Sequence, residues 1–254
     1  ILIIYKLYMI KNSFQILITN STDKMPPLIE EATQTFRRSL NECSYKLYNK
    51  EMIEELLRLR FDKEVLNAFR KLKPLAFKAD LARYCIAYEY GGWYADITLK
   101  FLKNIKADFK DIEFLGFVDL GHNVKPNTLP YSIQSSLFYS CRNSRIMQKA
   151  IEIIIDNCKN NYYGITATSP TGPGVLGRAF AFYGLRNNHI IGHFMQLTPN
   201  HSNKNRSYIL PDGTILALHK DAWVLNAKGG QLNEFGFDDA ENYYTMFVNK
   251  DIYN

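Results

Sequence analysis

Lys78-Ala79-Asp80-Leu81-Ala82-Arg83-Tyr84-Cys85-Ile86-Ala87-Tyr88-Glu89-Tyr90-Gly91-Gly92-Trp93-Tyr94-Ala95-Asp96-Ile97-Thr98 is the stretch whose reading decides the fold. Residues 75–90, entered behind Pro74, read as a helix, and Gly91-Gly92 stops it because glycine accepts the positive φ that ends helices. Asp80 and Arg83, three residues apart, share one helix face. Beyond the glycines the chain reads as extended, so Trp93, Ala95, Ile97 and Leu99 point one way and Tyr94, Asp96 and Thr98 the other. The first set suits a core, whereas the second sets out a phenol, a carboxylate and a hydroxyl. A carboxylate at the end of a buried strand is costly unless it meets a cation or hydrogen-bond donors. In open α/β sheets, strand ends are also where ligands gather. Each feature alone has a plainer reading: a surface ion pair worth under about 1 kcal/mol, and an ordinary helix stop.

The flanking sequence supplies the layers. Phe14–Asn20 is an apolar run closed by turn formers, the pattern of a buried first strand. Pro26-Pro27 opens a helix with Leu28, Ala32, Phe36 and Leu40 recurring every fourth residue. Tyr45 and Leu47 alternate with polar neighbours as a second strand. Two helical stretches follow, with faces Met52, Ile53, Leu56, Leu57 and Val65, Leu66, Phe69, Leu72. Strands are expected at Glu113–Val118 and Ile133–Tyr139, and an amphipathic helix at Ser144–Asn160. A loop ending in Thr171-Gly172-Pro173-Gly174 feeds another helix. Pro211-Asp212-Gly213 marks a hairpin turn among short strands. Strand, helix and strand in alternation predict an α/β layered fold.

At 254 residues, with 46% hydrophobic and 22% charged residues, the chain suits one globular domain without repeats or low-complexity linkers. A formal charge of +6 favours anionic partners. The basic residues are dispersed, so no nucleic-acid-binding arm is expected. Aromatic residues reach 14%, a supply of flat faces with polar tips that suits sugars and bases. Cys43, Cys85, Cys141 and Cys158 form no C-x-x-C pair, which speaks against a structural zinc and for a reducing compartment. Cys85 and Cys158 fall on apolar helix faces as buried thiols. Residues 1–10 are apolar but too short to span a bilayer and make no convincing signal peptide. They are set aside as a segment outside a single domain of residues 11–254.

The string from Lys78 to Tyr84, followed by Tyr88-Glu89-Tyr90-Gly91-Gly92-Trp93-Tyr94-Ala95-Asp96, closely resembles the sugar-binding region of the DXD-containing glycosyltransferases. These include fungal α-mannosyltransferases, bacterial capsular-polysaccharide transferases and, more distantly, the glucosylating toxins. The dense match covers about 30 residues, with weaker echoes from roughly residue 14 to residue 223. The resemblance implies a GT-A-type, Rossmann-like α/β fold with a mixed central sheet flanked by helices. It implies that Asp80 accepts hydrogen bonds from donor-sugar hydroxyls, that Arg83 contacts sugar or diphosphate, that Tyr94 lies near the ribose, and that Asp96 is the first acid of the DXD triplet. These residues, with Asp80, Arg83 and Asp96 as the catalytic set, form the expected site.

Thr98 stands where the family usually has its second acid, and a neutral hydroxyl is a poorer ligand for a hard divalent cation. The implied Mn²⁺ or Mg²⁺ is therefore weakened at that place. His219-Lys220-Asp221-Ala222-Trp223 resembles the family's late metal-and-lid segment. It makes His219 a candidate ligand beside Asp96 and Thr98, Asp221 a substitute acid, and Trp223 the lid over the diphosphate. The plainer reading of His219 is a strand-end histidine without a ligand role. Thr171-Gly172-Pro173-Gly174 resembles the family's Gly-Pro loop, which implies that Gly172 lies near the donor sugar, its plainer reading being a helix-entry turn. Gln134 and Ser135 fall where related enzymes place an amide facing the sugar. The expectation is a retaining hexosyltransferase acting in capsular or surface polysaccharide synthesis. It would use a UDP- or GDP-sugar and a glycan or lipid-linked glycan acceptor, in the cytoplasm, with peripheral membrane association compatible. The alternatives are a catalytically weakened nucleotide-sugar or glycan-binding module, and an effector that glycosylates a host protein.

Overall fold

Strand, helix and strand open the fold as the sequence predicts. Asn12–Ile16 (β1) and Ser44–Tyr48 (β2) run parallel, with Pro27–Ser39 (α1) crossing between them. The computed structural model describes residues 11–19, 24–105, 109, 111–119, 132–197, 206–224, 232–237 and 242–254. The apolar segment 1–10 and the end of the expected first strand at Asn20 lie outside the described residues. β1 spans Asn12–Ile16 instead of Phe14–Asn20 because its partner β2 begins at Ser44 and ends at Tyr48. There Asn49 accepts the Met52 N–H at 2.9 Å and caps the helix Lys50–Arg60 (α2). On α1, Leu28 is exposed and Ile29 takes the buried place with Ala32, Phe36 and Leu40. A strict four-residue recurrence drifts around a helix of 3.6 residues per turn, and the stripe starting at Ile29 drifts less.

Lys63–Lys71 (α3) and Leu75–Tyr90 (α4) follow. α4 is buried on almost every side, the condition of a helix in the middle of a layer. Its Lys78 is structural, donating from Nζ to the Phe69 and Arg70 carbonyls at 2.7 and 3.4 Å and so closing the C-terminal turn of α3. Gly91 (φ +66°) ends α4, and Gly92 (φ +112°) begins the strand Gly92–Ala95 (β3). A Cβ on Gly92 would stand 2.3 Å from the Asn12 carbonyl oxygen, so β3 can lie beside β1 only with glycine there.

The remaining elements are Lys100–Phe101 (β4), Phe114–Asp119 (β5), Leu137–Ser140 (β6), Arg145–Lys159 (α5), Pro173–Tyr183 (α6), His189–Gln196 (β7), Arg206–Ile209 (β8), Ile215–Leu218 (β9), Lys220–Trp223 (α7) and Tyr243–Val248 (α8). Among the described residues the strands form one mixed sheet in the order β2-β1-β3-β6-β5-β7-β8-β9-β4. The α/β class with a large mixed sheet flanked by helices is what the sequence predicted. The expected strand from Ile133 begins only at Leu137, because Ile133 makes an isolated bridge to Val118 and residues 134–136 turn their side chains to other work.

Alternation across β3 sends Tyr94 into the core beneath α2–α6 and Trp93 and Ala95 into a second core closed by Phe36 and Leu40. The extended run stops at Ala95. The Leu99 N–H donates to the Asp96 carbonyl at 3.2 Å, making residues 96–99 a turn in which Thr98 does not continue the alternation. The pairings place the ends of β1, β3, β5, β7 and β9, and the beginnings of β6 and β8, along one edge of the sheet. Asp96, Asp119, residues 134–136, Arg206 and His219 therefore collect at that edge.

Candidate active site

Arg83 is the centre of the edge. From α4 its Nη2 lies 3.2 Å from Asp80 Oδ1, and its Nη1 lies 3.3 Å from Asp96 Oδ1 at the end of β3. Nη1 also donates to the Ser135 carbonyl at 2.7 Å, and the guanidinium lies over the Tyr94 ring at 4.6 Å. The helical spacing of Asp80 and Arg83 and the glycine-initiated strand thus bring all three charged side chains to one point. Burial alone would disfavour the charged guanidinium, but Tyr94, Asp96 and Asp80 outweigh it and push the Arg83 pKa up. Burial pushes the Asp80 carboxyl up from its ordinary value, and Arg83 and the Thr171 hydroxyl pull against it. The side chains of Asp80 and Arg83 are 12% and 7% exposed and that of Asp96 is 31% exposed, so Asp96 is the member a ligand meets first.

Two loops and the Tyr94 hydroxyl hold this group. Thr171 Oγ1 donates to Asp80 Oδ2 at 2.7 Å. Gly172 sits beside the same oxygen, 3.4 Å from where its Cβ would be, and its carbonyl accepts the Tyr84 hydroxyl at 3.4 Å. Ser135 Oγ lies 3.4 Å from Asp80 Oδ1. The Tyr94 hydroxyl donates to Asp96 Oδ1 at 2.6 Å, and the Asp96 N–H donates to the Ser136 carbonyl at 2.8 Å. Tyr94, expected near a ribose, is 1% exposed and reaches the site through its hydroxyl. Gln134, expected to face a sugar, donates from Nε2 to Asp119 Oδ2 at 2.7 Å and accepts from Ser136 Oγ at 3.2 Å.

The late segment docks on the same turn. Trp223 Nε1 donates to the Thr98 carbonyl at 3.0 Å, which places α7 against the triplet. Lys220, the first residue of α7, is depressed in pKa by burial, and the Asp96 carboxylate is the largest influence opposing that. His219 Nδ1 lies 2.9 Å from Asp221 Oδ1, and Arg206 Nε donates to Asp221 Oδ2 at 2.7 Å with Nη2 on the same oxygen. Burial holds His219 down at about 4, so its ring is neutral at pH 7. Asp221, the expected substitute acid, is thus taken up by Arg206 and His219. Thr98 is buried at the base of Trp223. Among the described residues no group of three or more His, Cys, Asp or Glu side chains is placed to hold a metal ion.

Sequence reading had no signal for Arg206, Tyr208 or Asp119, which have no neighbouring motif and arrive through strand order. Thr171 was within the Gly-Pro loop, and its hydroxyl beside a glycine was the available clue. A shallow polar groove lined by Asp111, Glu113, Arg145 and Arg186 lies at the opposite ends of β5 and β6 and contains none of the expected site residues.

With this geometry in place, comparison with known proteins gives three results. The family model described as the glycosyltransferase sugar-binding region containing DXD motif matches residues 12–114. No curated protein sequence matches the chain. Among solved structures, one described as "PaToxG Glycosyltransferase" superposes with a TM-score of 0.47 at 14% identity, covering 68% of this chain and 69% of that chain. The family match runs from β1 to the start of β5 and contains Asp80, Arg83, Tyr94, Asp96 and Thr98. Residues 12–114 are thus similar to the glycosyltransferase sugar-binding region that this family model describes.

Proposed function

We propose that the protein is a glycosyltransferase of residues 11–254 that moves a hexosyl unit from a UDP- or GDP-sugar to a hydroxyl of a glycan acceptor. The observation that carries this reading is the meeting of Asp80, Arg83 and Asp96 around one guanidinium at the ligand-gathering edge of the sheet. Charge develops on the leaving diphosphate during transfer, and a fixed cation in a dry site stabilises it without reorganising. Arg83 supplies that cation, and its planar fork suits phosphate oxygens. Asp80, clamped by Thr171, Ser135 and Arg83, orients the sugar. The acceptor oxygen attacks from the face the diphosphate leaves, because Asp80 is held as an orienting group, and the configuration is retained. Polysaccharide synthesis in the cytoplasm, on a lipid-linked acceptor approached peripherally at the membrane, belongs to the same proposal. No helix among the described residues is long and apolar enough to cross a membrane.

The DXD family implies a divalent cation, Mn²⁺ or Mg²⁺. The donor set here does not fit a cage for it. Asp96 Oδ1 already takes Tyr94 and Arg83, Asp221 is committed to Arg206, and Thr98 is neutral and buried. Magnesium needs few protein carboxylates when substrate phosphates complete its shell, and the part-exposed Asp96 is one that this edge offers it. The same deficit favours a second reading, a nucleotide-sugar or glycan-binding module that has lost turnover. An effector that glycosylates a host protein remains a variant of the first reading, since acceptor specificity is not set by the scaffold.

The test is hydrolysis and calorimetry over UDP- and GDP-sugars, each with Mg²⁺, with Mn²⁺ and with chelator. Turnover of at least one donor is expected. Binding without turnover selects the module, and absence of both for every donor removes the glycosyltransferase reading.

A further inference from the structure

Both ends of the Gln134 amide are engaged, and its Nε2 holds a carboxylate that no motif marked. Asp119 is the last residue of β5, half-buried, at the edge where β3 delivers Asp96. Its N–H donates to the Ser132 carbonyl at 2.9 Å, and its Oδ2 accepts from Gln134 Nε2 at 2.7 Å. Behind Gln134 the chain of hydrogen bonds continues through Ser136 Oγ at 3.2 Å to the Tyr208 hydroxyl, 2.5 Å from Ser136. Tyr208 is fully buried, its ring centroid 5.2 Å from that of Phe117 and 4.8 Å from that of Phe194. Residues 134–136 therefore serve two carboxylates: Ser135 supports Asp80, and Gln134 supports Asp119. The Ser136 carbonyl meanwhile takes the Asp96 N–H.

A carboxylate fixed from behind by a connected polar network is oriented before any ligand arrives. Hydrogen bonds to an ionised acceptor are the stronger kind, and fixing the acceptor's direction adds selection for a hydroxyl held at that place. A purely structural partner for the Gln134 amide needs no charge, and an asparagine carbonyl would serve.

Resting on the glycosyltransferase reading above, we propose that Asp119 is a further substrate-binding carboxylate that accepts a hydrogen bond from a sugar hydroxyl, and that Gln134 and Ser136 are positioning residues that aim it. The hydroxyl comes from the donor sugar or from the acceptor, and the two sources give different readouts. The full chain and its D119N, Q134A and D119N/Q134A variants are titrated with UDP, GDP, UDP-glucose, UDP-galactose, UDP-N-acetylglucosamine and GDP-mannose. Hydrolysis and transfer to methyl hexopyranosides are then measured.

If the hydroxyl is the donor's, D119N keeps its affinity for the free nucleotide and loses about tenfold or more of the preference for nucleotide sugar over nucleotide. If it is the acceptor's, D119N keeps donor binding and hydrolysis and loses transfer by a similar factor. In either case Q134A shows a smaller loss in the same quantity and adds nothing in the D119N background, the non-additivity expected of residues that act as a unit. D119N that retains the nucleotide-sugar preference, hydrolysis and transfer overturns the proposal. So does a D119N protein that loses free-nucleotide binding and melting temperature together, which marks a structural role. A wild-type protein that binds none of the six ligands fails the glycosyltransferase reading itself and removes this inference with it.

Discussion

Two acid–base groupings at the same edge of the sheet look alike in composition and differ in what they leave open. At the junction of α4 and β3, one guanidinium is shared by Asp80 and Asp96, and the carboxylate of Asp96 faces outward. At the start of α7, one buried carboxylate, Asp221, is consumed by Arg206 and His219. The first grouping has more acid than base and an accessible member, so it can still act on a ligand. The second is closed on itself and holds the α7 turn against Thr98. Residue type does not separate the two cases; the number of partners arriving from other elements does.

The largest test of that contrast is Arg83→Met. It leaves two carboxylates without their shared cation and should cost about 3–5 kcal/mol in urea unfolding, together with nucleotide-sugar binding. Arg206→Met also strands a buried acid and should cost up to a similar amount. It should nevertheless keep Asp80 and Asp96 paired and retain nucleotide binding in calorimetry. Equal loss of binding in both variants would mean that the α7 grouping is part of the site. Asp96→Asn should separate activity from stability, with donor turnover down by roughly a hundredfold while the unfolding free energy changes by less than about 1 kcal/mol.

Thr98→Asp restores an acid to the third place of the triplet. It is expected to make nucleotide binding more dependent on Mn²⁺ at some cost in stability, since the position is buried. Unchanged metal dependence would place the cation away from this turn. The smallest effect concerns the thiols and phenols far from the edge. Burial raises Cys158 from 9.0 to about 12, Cys43 to about 11 and Tyr45 to about 12. Between those ordinary and raised values the native state holds more protons than the unfolded chain, so stability falls as pH rises above about 9. Melting temperature should decline above that pH, while native Cys85 and Cys158 resist thiol reagents at pH 8.

Much of the first grouping was legible because its parts are close in sequence. The three-residue step from Asp80 to Arg83 on a helix sets one shared face, and Gly91-Gly92 permits only a short path from that helix to Asp96. The four-residue recurrence on α1 misled at Leu28, where Ile29 keeps better phase with 3.6 residues per turn. The alternation beyond Trp93 held only to Ala95, because the Leu99-to-Asp96 hydrogen bond turns the chain before Thr98. Gln134 was legible as a polar residue near the site, but its partner Asp119 was not, since nothing local ties β5 to residues 134–136.

Taken by itself, the sequence determined the layered α/β class, the glycine stop, and the presence of an acid and a base on one face of a helix. Those follow from local sterics and periodicity, which act within a few residues. Only the tertiary structure decided which carboxylates keep an open side. That depends on long-range strand order bringing Arg206 to Asp221 and Gln134 to Asp119, and on the desolvation that makes each such pairing obligatory once buried.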